Sequence, residues 1–333
     1  MLKACLTGRR VIPFLALALS ALAFNGAALA EQPPQAAAEP SAAATAEPPV
    51  PLLWKASAGG RSVYLLGSFH LLKPDDYPLS PDVDAAFEDS DAVVFEIPPE
   101  EMQSPQLAVK MGQAGMRTDG TPLDSALPEE TAAALKAWTE ENAATLQQMQ
   151  LPPPVLQMFH PWFVSLMVTV TEMGKFGLNP ELGLDNHMAN RAAEAGKPTS
   201  GLETADQQIA FFTSMSDEEQ VQFLQSALEA TGEEGRVEIA KLHDAWRSGN
   251  AQVIWDEMAL EMREEFPAVY QRINVDRNDA WVPQLEAMLA PDGSGNTLVV
   301  VGALHLVGED GVVEKLQAKG YEVERICSAC AGE

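Results

Sequence analysis

Two near copies of one phrase stand at opposite ends of this chain: Leu65-Leu66-Gly67-Ser68-Phe69-His70-Leu71-Leu72 and Val300-Val301-Gly302-Ala303-Leu304-His305-Leu306-Val307. Each runs apolar strand, Gly, two residues, His. Glycine lets the chain turn sharply where a strand ends, and open α/β sheets place their ligands beyond the carboxyl ends of their strands. With 23 Gly and five His in 333 residues, chance predicts about 0.35 Gly-x-x-His matches, so one copy is weak. Two copies, each behind an apolar run, are far less expected. If both histidines serve one sheet edge, the two ends of the chain must meet in one sheet.

The rest of the pattern agrees with that closure. Leu52 to Ala56 and Ser62 to Leu66 flank Gly59-Gly60 and read as a hairpin. Ser80-Pro81 reads as an N-cap with proline at the first helical position, and Asp91 to Ile97 as a buried strand stopped by Pro98-Pro99. Helical spacing dominates 101 to 290, over 129–149, 161–176, 185–195, 205–230, 236–247 and 251–265. Strand character returns only with Thr297 to Val301 and Tyr321 to Ile326, around a short helix from Asp310 to Lys319. The expected fold is α/β: a mixed β-sheet core built from both ends of the chain, flanked by helices, with a large central helical insertion at about 101–290.

The first 30 residues read as an export signal. Lys3, Arg9 and Arg10 precede an apolar run from Val11 to Phe24, and Ala28-Leu29-Ala30 is a small-x-small cleavage site. Pro13, Asn25 and that cleavage site favour a cleaved signal over a retained membrane anchor. Residues 31–50, rich in Ala, Pro and Glu, read as a disordered linker ahead of one domain at 51–333. Removing the signal takes the formal charge from −27 to −30. So acidic a chain, without a Lys/Arg cluster, is not expected to grip nucleic acid or an anionic membrane, and no later stretch is apolar enough for stable membrane insertion. The expected location is periplasmic or secreted. Cys327 and Cys330 should close into a disulfide in such a compartment, with a half zinc site as the minor alternative.

A third strand, Val93-Val94-Phe95, ends in Glu96, where an ionisable group in an apolar run needs a partner or a metal. His70, His305 and Glu96 are therefore the candidate site. Asp185 suits either a helix N-cap or the site. Glu203 follows Gly201-Leu202, which reads as another strand edge, and is either an added carboxylate or a cap on the helix holding Gln207. Arg277 could pair with a substrate carboxylate or a site acid, a structural salt bridge being the plainer reading. His160 and His243 read as structural, and His187 as the exposed face of its helix. A Gly-rich phosphate loop, an HExxH pattern and a Gly-x-Ser-x-Gly elbow are all missing from the sequence.

From about Leu53 to Ile326 the chain resembles the TraB/GumN family, to which the Tiki metalloproteases are related. The matching phrases are Val63 to His70, Tyr77-Pro78-Leu79, Phe95-Glu96, Pro161-Trp162, Gly183-Leu184-Asp185, Gly201-Leu202-Glu203-Thr204 with Gln207, Arg277-Asn278 with Trp281, and Val301 to Gly308. The resemblance implies a metal-dependent peptidase whose activity needs both Gly-x-x-His motifs and a Glu, here His70, His305 and Glu96. Those residues, with Glu203 as a further ligand, would hold a divalent ion, Mn, Co or Zn, that activates water on a peptide or protein substrate. The alternative is a non-catalytic periplasmic protein that holds a metal or haem with the same histidines, because distant relatives of this architecture include haem-iron binders.

Overall fold

The structure is a computed structural model and describes residues 47–291, 293 and 295–330. The signal at 1–30 and most of the linker lie outside the described residues. The linker's last residues are not free chain. Pro49 is buried and accepts from Ser80 N at 3.0 Å, and Val50 N donates to Arg247 O at 2.7 Å, so the folded part starts before residue 51.

Six strands form one mixed sheet: β1 (Leu53–Ala58), β2 (Arg61–Ser68), β3 (Ala92–Phe95), β4 (Thr199–Gly201), β5 (Thr297–Gly302) and β6 (Glu322–Arg325), in the order β4-β3-β5-β2-β1-β6. The hairpin of β1 and β2 is antiparallel, and β6 runs antiparallel to β1. The other pairs are parallel. The central strand therefore comes from the far end of the chain, with Val301 opposite Gly67 and Gly302 opposite Ser68. All six residues of β5 are buried, as expected for a strand packed on both faces. Val299 and Val301, with Val63 and Leu65, meet the helix Asp276–Leu289 and the helix Val312–Ala318. Leu298 and Val300, with Tyr64 and Leu66, face the larger helical layer.

Beyond the helices Pro105–Gly115 and Asp276–Leu289, which fall outside the runs read as helical, the insertion differs from the sequence expectation in three respects. First, β4 interrupts it; Thr199-Ser200-Gly201 is too short for an alternating pattern, and it is a strand because β3 offers it an edge. Second, two long periodic runs are broken. Glu129–Glu141 and Ala143–Gln148 meet at Asn142, while Ala205–Thr213 and Asp217–Glu229 are separated where Ser216 caps the second helix. Third, the segment from Ala251 to Leu289, interrupted at Phe266, contains two π-helical turns, Trp255–Leu260 and Gln271–Val275. Each π turn shifts the helix face relative to a plain 3.6-residue repeat, and the second ends just before Arg277. Ser80 precedes the helix Pro81–Asp89 as expected, but its side chain makes no cap bond. Among the described residues no helix is long and apolar enough to cross a membrane.

Candidate functional site

The four parallel strands deliver His70, Glu96, Glu203 and His305 to one edge of the sheet. His70 lies two residues beyond β2, Glu96 directly follows β3, Glu203 lies two beyond β4, and His305 three beyond β5. Backbone pairing continues past β3 and β4, with Leu202 N donating to Phe95 O and Glu203 N to Glu96 O, both at 2.9 Å. None of the four is more than 9% exposed.

Each histidine is oriented through its Nδ1. His70 Nδ1 stands 2.5 Å from Asp185 Oδ2, which also accepts from Ser68 Oγ at 2.5 Å. Burial drives the His70 ring toward its neutral form, but the Asp185 charge and hydrogen bond, helped by Glu96, outweigh burial and raise its pKa. Burial likewise pushes the Asp185 carboxyl up, and the His70 ring with the His70 and Ser68 hydrogen bonds more than offsets it, holding the carboxyl below its ordinary value. Asp185 is thus no N-cap. The cap position of its helix, Leu184–Ala195, belongs to Gly183, where a side chain would collide with the His70 carbonyl.

His305 Nε2 lies 2.9 Å from Arg277 Nη1, and a guanidinium only donates, so Nε2 accepts. The ring proton is then on Nδ1, which donates to Asn278 Oδ1 at 2.8 Å, while Asn278 Nδ2 donates to Asp310 O at 2.8 Å. Both rings therefore turn Nε2 inward, and each Nε2 stands 4.0 Å from the same atom, Glu96 Oε1. The two nitrogens can be no farther apart than twice that distance. His70 Nε2 is buried and has no hydrogen-bond partner among the described residues.

The carboxylates are held by Arg277 and Gln208. Arg277 Nη2 donates to Glu96 Oε2 and to Glu203 Oε1, each at 2.5 Å, and Nε reaches both Glu203 oxygens at 3.1 and 3.2 Å. Gln208 Nε2 bridges Glu96 Oε2 at 3.1 Å and Glu203 Oε1 at 2.8 Å. Burial lowers the proton affinity of Arg277, but Glu96 and Glu203 together raise it. Glu203 thus lies in the candidate cluster and is not a cap; Thr204 and Gln207 form the capping box of the helix Ala205–Thr213. Arg277 pairs with the site acids themselves.

Gln208 was not anticipated from the sequence. A signal existed: residues 205, 208, 209 and 212 form the buried stripe of that helix, and a Gln on such a stripe needs partners. His187 is half-buried and packed against Tyr77, the rings tilted by 33° with centroids 4.3 Å apart, and is not simply an exposed helix face. His243 is buried against Asp76 at 2.8 Å, its ring edge-on to Phe69 with centroids 5.9 Å apart. Cys327 and Cys330 are joined by a disulfide.

Among the described residues no group of three or more His, Cys, Asp or Glu stands close enough together to hold a metal ion as it is. The donor set nonetheless suits an ion. Metal-binding histidines characteristically donate Nδ1–H to a carboxylate or amide oxygen and present Nε2, as both do here. His70 Nε2, Asp185 Oδ1 and Gln208 Oε1 are moreover buried polar atoms without hydrogen-bond partners among the described residues.

The chain is similar to the uncharacterized protein YbaP of Escherichia coli (strain K12), with 26% identity over 264 residues that cover 78% of this chain and 89% of YbaP. The YbaP protein of Shigella flexneri matches to the same extent. No solved structure is significantly similar. The sequence profile of the TraB/PrgY/gumN family matches residues 52–325, from the first core residues to the end of β6, and the chain belongs to that family.

Proposed function

We propose that this protein is an exported, metal-dependent hydrolase acting on peptides, with His70, His305 and Glu96 holding a divalent ion, Mn, Co or Zn. The observation that carries the reading is the shared aim of the two histidine Nε2 atoms at Glu96 Oε1. Asp185 and Asn278 orient the imidazoles, and Glu203, held by Arg277, is the reserve carboxylate of the site. The ion would supply Lewis acidity and lower the pKa of a water bound to it. Glu96 Oε1 accepts one hydrogen bond, from Gly302 N at 2.8 Å, which leaves it able to serve as a ligand or to take a proton from that water. Export through residues 1–30 belongs to the same reading, and the Cys327–Cys330 disulfide suits an oxidising compartment.

A second reading rests on burial. With every site residue at most 9% exposed, the arrangement also suits a non-catalytic protein that stores or carries an ion. Metal analysis of protein purified without an affinity tag or chelator tests what both readings share. His70→Ala and His305→Ala should each lower metal content sharply while the far-UV spectrum stays native, and full occupancy in both variants would remove both readings. Peptide-library cleavage with and without chelator then separates them, because only the hydrolase loses turnover when stripped. Visible absorption of the purified protein checks the haem form of the second.

A further inference from the structure

Arg277 stands at the centre of the donor set, and holding Glu203 does not account for its contact with His305. Its guanidinium engages three of the four strand-end side chains at once: His305 through Nη1, Glu96 through Nη2, and Glu203 through Nη2 and Nε. It also stands over two aromatic rings, with Cζ 5.3 Å from the centroid of Phe211 and 4.7 Å from that of Trp281. We infer that Arg277 is a built-in cation that competes with the divalent ion for this donor set, so that the ion is loaded only when Nη1 leaves His305. The inference rests on the metal reading above and adds to it a determinant of metal affinity.

The competition follows from the valence of imidazole. A neutral ring has one lone pair, and that of His305 is occupied by the Arg277 N–H at 2.9 Å. An ion bound at roughly 2.0–2.1 Å along the same lone pair leaves no room for that hydrogen. Deprotonation offers no escape, since a guanidinium keeps its charge in proteins. Nor is Arg277 dispensable when the ion is away: two carboxylates buried at the strand ends need a counter-charge, and Arg277 supplies it to both. The aromatic pair gives the side chain a track. A shift along the Phe211 and Trp281 faces preserves the cation–π contacts and the Glu203 pair while freeing His305 Nε2.

The test titrates chelator-stripped protein with Mn2+ alone and Zn2+ alone by calorimetry, while following tryptophan emission. Arg277→Met should bind at least tenfold more tightly than the parent. In the parent, ion addition should change emission, and Trp281→Phe should abolish that change. If Arg277→Met fails to fold with its carboxylates uncompensated, Arg277→Lys carries the comparison, because an ammonium keeps the charge but cannot make the three-way fork; it should also bind more tightly. Ion binding by the parent together with equal or weaker binding by the folded variant overturns the competition and leaves the metal reading standing. Absence of binding in the parent and in both variants overturns the two together.

Discussion

Gly302 shows how little space the site holds. Its φ is −50°, which any residue accepts, so its role is spatial rather than conformational. A methyl group built there would lie 3.3 Å from Glu96 Oε1, 3.5 Å from His305 Cδ2 and 3.5 Å from His70 Nε2. The second Gly-x-x-His motif thus keeps its glycine so that nothing fills the gap toward which the donors point. Gly302→Ala should fold, at a cost of about 1–2 kcal/mol for the tight contact with Glu96. If the site holds the proposed ion, metal content should nevertheless fall severalfold, because the methyl sits among the proposed donors. Elemental analysis beside thermal melting checks this, and a folded Gly302→Ala protein with parental metal content would contradict it. Gly67 differs: a Cβ there would press on Leu52 and Ala303 at 3.0–3.2 Å, so the first motif's glycine serves packing between the two ends of the chain.

At the scale of elements, the short turn Pro74–Asp76, just beyond the His70 loop, is fastened by one carboxylate. Asp76 is fully buried; it accepts from Lys73 N at 2.7 Å, pairs with His243 at 2.8 Å, and meets Arg247 of the same helix, Gly232–Arg247. Burial pushes this carboxyl up, but the His243 and Lys73 hydrogen bonds, the His243 charge and Arg247 prevail and hold it below its ordinary value. A carboxyl depressed on folding adds stability that is complete above the unfolded pKa of about 3.9 and disappears as pH falls through the folded value. Asp76→Asn should therefore cost about 2–3 kcal/mol near neutral pH. The gap between parent and variant should narrow below about pH 4. Urea midpoints at pH 7 and pH 3 measure it, and an equal gap at both would refute the assignment. The same scale explains what the sequence could disclose. His70, Glu96 and His305 were legible because each follows an apolar strand at a fixed short offset. Asp185 and Glu203 were left between cap and site, since both roles put an acid beside a helix start and only the tertiary partner decides. Arg277 reaches the site by way of the π turn Gln271–Val275, and a 3.6-residue repeat carries no sign of where such a turn falls.

Across the whole molecule, the site exists only because the chain closes on itself. β1, β2 and β3 lie between Leu53 and Phe95, whereas β5, which separates β2 from β3, begins at Thr297. Everything between forms the helical layers and supplies β4, Gln208 and Arg277 to the edge that the two ends create. This closure was readable from the repeated phrase, because two histidines behind two strands can share an edge only if their strands share a sheet. Strand order and partner choice were not readable, since they depend on which buried faces fit. The architecture makes β5 a keystone: without it, β2 and β3 have no common neighbour, and Leu298 and Val300 are lost from one core layer and Val299 and Val301 from the other. A chain covering 47–290 should therefore keep much of its helical far-UV signal but lose the near-UV signature of fixed tryptophans and unfold without a sharp transition. Adding the separate segment 296–330 should restore both, since it carries β5, His305 and β6. Near-UV dichroism of each piece and of the mixture is the measurement. Native tertiary signal and cooperative unfolding from 47–290 alone would show that β5 is an addition to a finished core, and the two Gly-x-x-His strands would then not be the frame on which this fold is built.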